Sequence, residues 1–313
     1  NPSSKCGKTV QTRTIMNWHG VIPAITTPFR DDLSVDHDFL AKFVTWQIDA
    51  GCTGIMALGS LGEGATLTHD EKVAIVRTCV EAVGDRVPVA AGISALSTAE
   101  AVQLAKDVEA AGGRGLMVLP PYVYKGDWRE TRYHFEAVMQ ATSLSCMLYN
   151  NPIAYGTDIT PEQVQELCQR NANLHSIKES SADVRRITEI RRLIGDRLKY
   201  FVGVDDLIVE GIAAGATGWI AGLVNAFPSE SVALFDHALA GRHAEARKIY
   251  EWFLPMLRLD VVPKFVQLIK LAQQEAGMGS ERVRPPRLEV VGEEREIALK
   301  TIREGLAARP TMG

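Results

Sequence analysis

Cysteine is scarce in this chain and never paired. Cys6, Cys52, Cys79, Cys146 and Cys168 form an odd, scattered set of 5 among 313 residues, with no Cys-x-x-Cys spacing. That excludes a disulfide framework and predicts free thiols in a reducing compartment, the cytoplasm. The 7 histidines show no pairing at metal-ligand spacing, so no metal is expected. No apolar stretch approaches the length of a membrane span. With a formal net charge of -4 and its lysines and arginines dispersed, the chain offers no electrostatic footprint for nucleic acid or an anionic membrane, and neither is expected as a partner. The first residues carry Lys5, Lys8 and Arg13 without an apolar core, which is no secretory signal; residues 1–15 read as a flexible arm or the remnant of an added tag. No Gly-x-Gly-x-x-Gly follows the first apolar run, and Gly62-Glu63-Gly64 lacks the lysine of a P-loop. A nucleotide-dependent oxidoreductase is thereby disfavoured.

What the chain does have is rhythm, with ample apolar residues for a large core. Short apolar runs at 21–26, 54–58, 87–92, 115–119, 145–149, 174–178, 200–203 and 218–221 alternate with amphipathic stretches. The latter lie at 36–50, 68–83, 97–111, 128–141, 161–170, 182–194 and 206–214. Gly51, Gly84, Gly112 and Gly215 sit just past predicted helix ends, Thr68 with Glu71 forms a capping box, and Thr160-Pro161-Glu162 opens a helix. Alternating strands and helices imply a parallel sheet with right-handed crossovers. Eight repeats in this length suit a closed α/β barrel, the (β/α)8 TIM-barrel class, better than an open doubly wound sheet. The barrel is expected over 16–225. After it the pattern turns wholly helical, at 229–240, 243–259, 263–277 and 293–307, so 226–313 is expected to be a C-terminal helical extension. Its apolar stripes need the barrel flank or another subunit to cover them.

In such a barrel the chemistry sits at the carboxyl ends of the strands. Lys178 ends the apolar run Leu174-His175-Ser176-Ile177-Lys178. Alone it would read as a lysine snorkelling to the surface. Tyr149 closes the neighbouring run and enters Asn150-Asn151-Pro152, while Gly59-Ser60-Leu61-Gly62-Glu63 follows another. The full set of strand ends is Thr26-Thr27, Ser60, Tyr149, Lys178, Gly203 with Asp205-Asp206, and Gly222. A neutral lysine amine condenses with a ketone, and the protonated imine is an electron sink for bonds at the third carbon of a 2-oxo acid. Backbone N–H groups of the Gly59–Gly62 turn, which contains Ser60 and Leu61, suit a carboxylate, and a tyrosine hydroxyl suits proton relay. Asp205-Asp206 read first as caps of the helix beginning there and second as substrate contacts. Glu63 reads equally as an acid or as support for its turn, and Thr26-Thr27 as donors behind the substrate.

Three motifs, Gly59-Ser60-Leu61-Gly62-Glu63, Tyr149-Asn150-Asn151-Pro152 and Ile177-Lys178-Glu179-Ser180, resemble in order and spacing those of the dihydrodipicolinate synthase/N-acetylneuraminate lyase family. The opening stretch from Gly20 to Phe29 is similar to that family's first strand. The resemblance spans residues 18–306. It implies a Schiff-base barrel enzyme working without a cofactor, commonly a homotetramer (dimer of dimers). In it Lys178 forms the imine and Tyr149 relays protons. From the strand ends and motifs, Ser60, Leu61, Thr26, Thr27, Gly203, Asp205, Ser180 and Gly222 are expected to bind a small 2-oxo acid.

Departures from the family pattern narrow the substrate. The synthase pattern has two threonines where Ser60 and Leu61 stand, a second tyrosine where Val123 falls, and an arginine for a second carboxylate where the chain reads Ile153-Ala154-Tyr155. The sialate lyase pattern has hydroxyl residues after the eighth strand, where Gly222-Leu223-Val224 stands. A small substrate with one carboxylate and few hydroxyls is expected. Two reactions fit: dehydration or deamination of a hydroxylated 2-oxo acid or its cyclic imine, as in a 1-pyrroline-4-hydroxy-2-carboxylate deaminase, and pyruvate-dependent aldol chemistry, including dihydrodipicolinate synthesis. The first is favoured. A catalytically retired metabolite-binding barrel is the alternative of another class, disfavoured because a binding module has no need of a buried amine.

Overall fold

In the computed structural model, which describes residues 16–311, the apolar runs fold as short strands and the amphipathic stretches as helices. The expected arm at 1–15 lies outside the described residues. The strands are β1 (Gly20–Pro23), β2 (Ile55–Ala57), β3 (Val89–Ile93), β4 (Gly115–Val118), β5 (Ser145–Asn150), β6 (Leu174–Glu179), β7 (Lys199–Val202) and β8 (Gly218–Ala221). They pair in parallel in the order β1-β8-β7-β6-β5-β4-β3-β2. A parallel bridge between Ala24 and Met56 joins the two ends of that order and closes the barrel. Closure leaves no open strand edge.

The alternating helices are α1 (His37–Asp49), α2 (His69–Val83), α3 (Thr98–Ala110), α4 (Trp128–Gln140), α5 (Pro152–Tyr155), α6 (Pro161–Arg170), α7 (Arg185–Ile194) and α8 (Ile208–Ala213). Local sequence explains most of their starts. The expected capping box at Thr68 and Glu71 is present, and Asp127 with Glu130 and Thr160 with Gln163 form two more. Each such cap stabilises its helix by about 1 kcal/mol. The single turn α5 is an extra element that periodicity did not reveal. At the amino ends of the strands Trp18 plugs the barrel: its indole N–H donates to Ser145 Oγ at 2.8 Å, and its ring meets Phe201 edge-on at 6.2 Å.

Helices α9 (Pro228–Leu239), α10 (His243–Leu257), α11 (Phe265–Glu275) and α12 (Gly292–Ala307) form the extension. Every residue of α11 from Val266 to Gln273 is buried, which marks a helix enclosed on all sides rather than one lying on a surface. Polar contacts tie α11 and the segment after it to the barrel. Lys270 Nζ donates to Glu63 Oε1 at 2.7 Å, and Thr26 Oγ1 donates to Gln273 Oε1 at 2.7 Å. Arg284 forks onto Glu71 with both contacts at 2.8 Å. The helices of the extension therefore brace the loops at the carboxyl ends of β1 and β2. Among the described residues no helix is long and apolar enough to cross a membrane.

Candidate active site

Parallel pairing of β5 with β6 sets Tyr149 opposite Lys178. Residues in register on adjacent strands point to the same side of the sheet. Here that brings the Lys178 Nζ to 4.3 Å from the centre of the Tyr149 ring. Lys178 is 7% exposed. Among the described residues no carboxylate lies within ion-pairing distance of it. An amine so placed keeps its nucleophilic nitrogen available once neutral. Gly203, just after β7, is required by close approach: a Cβ there would collide with Ser180 Oγ and with the stem of Lys178. Ser180 Oγ is buried in the same spot without a hydrogen-bond partner.

The Tyr149 hydroxyl accepts a hydrogen bond from Asn151 Nδ2 at 2.9 Å. Its ring meets that of Tyr155 edge-on at 5.7 Å. Tyr155 in turn hydrogen-bonds Ser60 through their hydroxyl groups. Burial, reinforced by the neighbouring Tyr149, pushes the Tyr155 phenol well above its ordinary range, so it stays protonated. Lys178, Tyr149, Tyr155 and Ser60 thus form a continuous line across the mouth. Tyr155 was not among the residues expected from sequence. The signal for it lay in Asn151-Pro152: Asn151 caps α5 by accepting from the Ala154 N–H at 3.0 Å, and this one turn swings Tyr155 back over the barrel.

The Ser60 turn is held from below. Thr27 Oγ1 donates to the Gly62 carbonyl at 2.6 Å, while Thr26 faces Gln273 of the extension. Leu61 is buried within the turn. Glu63 adopts a left-handed φ of 55° and is fixed by Lys270 and by the Arg284 N–H at 2.9 Å. Of its two readings, support of the turn is the one the contacts favour.

Asp205 departs from its first reading. The short helical turn it opens has Val204 at its N-cap and no side-chain cap bond. Asp205 is instead wholly buried, accepting from Trp219 Nε1 at 3.0 Å, from the Gly222 N–H at 3.1 Å and from the Leu223 N–H at 2.7 Å. A carboxylate can satisfy more donors there than at an exposed cap, and those donors come from β8 and the turn that follows it, remote in sequence. Burial raises its pKa to about 6, against the pull of these donors and of Lys178. Gly222 therefore borders the mouth through its backbone, with Asp205 behind it.

A closed parallel barrel with a buried lysine against a tyrosine at the carboxyl ends of its strands is the architecture of a Schiff-base-forming lyase of the aldolase type. The chain belongs to the dihydrodipicolinate synthetase family, whose profile matches residues 17–304. It is 33% identical over 268 residues to the 4-hydroxy-tetrahydrodipicolinate synthase of Bartonella quintana (strain Toulouse), covering 85% of this chain and 91% of that protein. The corresponding Kosmotoga olearia enzyme is 31% identical over 92% of this chain and 98% of its own length. Among solved structures, YagE, a prophage protein of the same family from E. coli K12 in complex with pyruvate, superposes with a TM-score of 0.85 at 30% identity, covering 93% of this chain and 99% of its own. The protein is accordingly an enzyme, a lyase with the (β/α)8 fold.

Proposed function

We propose that this lyase removes water or ammonia from a small hydroxylated 2-oxo acid or its cyclic imine, with 1-pyrroline-4-hydroxy-2-carboxylate as the type of substrate. Lys178 attacks the second carbon; with a cyclic imine the ring nitrogen leaves that carbon as a free amine, and with an open-chain oxo acid the oxygen leaves as water. The resulting protonated imine acidifies the hydrogens on the third carbon. Tyr149 relays the proton, and the Tyr155–Ser60 pair connects it to the turn of N–H groups that holds the substrate carboxylate. Loss of the hydroxyl then leaves an imine conjugated to a double bond between the third and fourth carbons. With the cyclic substrate, loss of a proton from the fifth carbon and protonation at the third and then the fourth turn the amine on the fifth carbon into an imine, whose hydrolysis releases ammonia, while hydrolysis at the second carbon frees Lys178.

The observation that carries this choice lies just past Tyr149. Ile153 is 73% exposed, Ala154 has no polar group, and Tyr155 fills the mouth with a neutral hydroxyl. Among the described residues no buried guanidinium stands there to grip a second carboxylate, and such an anion left unpaired in a pocket is costly. A second reading, aldol condensation with a dicarboxylate product, draws on one contact. Lys125 lies against Gly156 beside α5, but its side chain is exposed and offers a mobile point charge rather than a fixed fork.

The deciding experiment compares turnover of 4-hydroxy-pyrroline-2-carboxylate with turnover of pyruvate plus aldehydes, including aspartate semialdehyde. The expected result is fast release of ammonia from the first and poor condensation in the second, without inhibition by lysine. Efficient synthesis of the dihydrodipicolinate precursor would return the protein to lysine biosynthesis.

The same reading places the enzyme in the cytoplasm, supported by the buried free thiols of Cys52, Cys79, Cys146 and Cys168. It also makes it a homo-oligomer: exposed Leu96, Tyr124 and Tyr133 line one cleft, an apolar face suited to a second copy. Equilibrium sedimentation tests that assembly.

A further inference from the structure

The turn joining α10 to α11 sends one residue of the extension into the barrel mouth. Asp260 ends the short helical segment Arg258–Asp260 and lies over Gly222, where any Cβ would collide with its carboxyl group. The glycine after β8 thus makes room for an acid arriving from 38 residues further along the chain (260 minus 222). Asp260 feels the charges of Lys178, Asp205 and Asp206. Its neighbours are satisfied: Asp205 by three donor groups, Asp206 by Arg258 at 3.7 Å. The Asp260 carboxyl has neither a hydrogen bond nor an ion pair among the described residues. Beside Lys178 the buried Ser180 hydroxyl is also without a partner. The half-buried Asp260 carboxyl opens onto the mouth and the Ser180 hydroxyl is buried unpaired beside Lys178, so together they mark a place for a polar substrate group.

We propose that Asp260 is the catalytic acid that protonates the departing hydroxyl of the substrate, with Ser180 hydrogen-bonded to the same oxygen. This rests on the dehydrating function proposed above. Burial and the charge of Asp205 hold the Asp260 carboxyl well above the usual carboxylate range, so it enters the reaction as a donor. The step balances as follows. Tyr149, having given its own proton to the nitrogen or oxygen that left the second carbon, takes the third-carbon proton, and the electrons of that C–H bond form the double bond between the second and third carbons of the enamine. The enamine nitrogen then reforms its imine with the second carbon, the double bond shifts to the third and fourth carbons, and the fourth carbon's C–O bond breaks with its electrons going to oxygen. Asp260 gives its proton to that oxygen, water departs, and the carboxylate left behind is reprotonated from solvent. No oxidant or reductant is needed.

Asp260→Asn keeps size and shape while removing the acidic proton. The variant is assayed on 4-hydroxy-pyrroline-2-carboxylate for ammonia release, and with pyruvate for borohydride trapping and for deuterium exchange at the methyl group. Expected is a fall in ammonia release of about 10²-fold or more, with trapping and exchange close to wild type; these also report that the variant is folded. Ammonia release within about 3-fold of wild type overturns the assignment of Asp260 and leaves the proposed function standing. Loss of trapping and exchange together with release also overturns it, since Asp260 would then be shaping the site rather than acting on the leaving group. If the wild-type enzyme itself releases no ammonia, the proposed function fails and the acid role falls with it.

Discussion

The buried pair between Lys270 and Glu63 offers a quantitative test of how the extension supports the site. Their side chains are 2% and 0% exposed, and Lys270 also donates to the Arg282 carbonyl at 2.6 Å and sits 4.4 Å over the ring of Phe29. Burial depresses the Lys270 pKa to about 8, opposed by Glu63. Replacing Lys270 by Met preserves bulk and removes the charge. Glu63 keeps one donor, the Arg284 N–H, but loses its counter-charge in a site closed to water. Removing one partner of a buried pair costs about 3–5 kcal/mol, and the remaining donor argues for the lower end, ~3 kcal/mol. At roughly 2 °C per kcal/mol for a chain of this size, the thermal midpoint should fall by about 6 °C. Because Glu63 ends the Ser60 turn in a left-handed conformation, KM for the 2-oxo acid should rise as well. The double variant Lys270→Met/Glu63→Gln, which removes both charges, should recover most of the lost stability. Calorimetry on the two variants decides the matter. A single variant melting within about 1 °C of wild type, well under the shift expected from such a loss, would refute the assignment of this pair as the clamp between extension and turn.

Other outcomes follow from the same contacts. Lys178→Ala should abolish both turnover and the borohydride-trapped adduct with pyruvate while leaving the melting profile intact; residual activity of even a few per cent, an order-of-magnitude threshold for chemistry through one amine, would remove Lys178 from the imine step. Tyr149→Phe should cut turnover by about 10²-fold or more and slow trapping, whereas an unchanged rate at saturating substrate would end its proposed role as relay. Glu71, forked by Arg284, has its pKa lowered from 4.5 to about 2. Its folded value lies below its unfolded one, so the stability it contributes is present above pH 4.5 and lost as pH falls from there toward 2. Solvent screening at this partly open site limits the contribution to ~1 kcal/mol. Glu71→Gln should therefore flatten acid unfolding in that window, and an unchanged acid limb would show the fork to be energetically silent.

The barrel and the pairing of Lys178 with Tyr149 in the candidate site were legible in the sequence because both depend on local information. Strand runs and amphipathic stretches have their own periods, and caps such as Thr68 with Glu71 act across one helical turn. Once the strands are parallel, residues ending them share one end of the barrel, so Lys178 and Tyr149 could be paired before any contact was seen. What the tertiary structure alone decided depends on distance along the chain. Tyr155 meets Ser60 across 95 residues, and Lys270 meets Glu63 across 207. Asp205 looked like a helix cap by local propensity, yet it turned inward because β8 and the turn after it supply three donors, two of them backbone N–H groups, that no helix start could match. Asp260 belongs to a helical extension whose pattern announces only buried and exposed faces. Its arrival over Gly222 required the barrel to close and the extension to fold back across the mouth, and no periodicity in a sequence encodes which remote surfaces will meet.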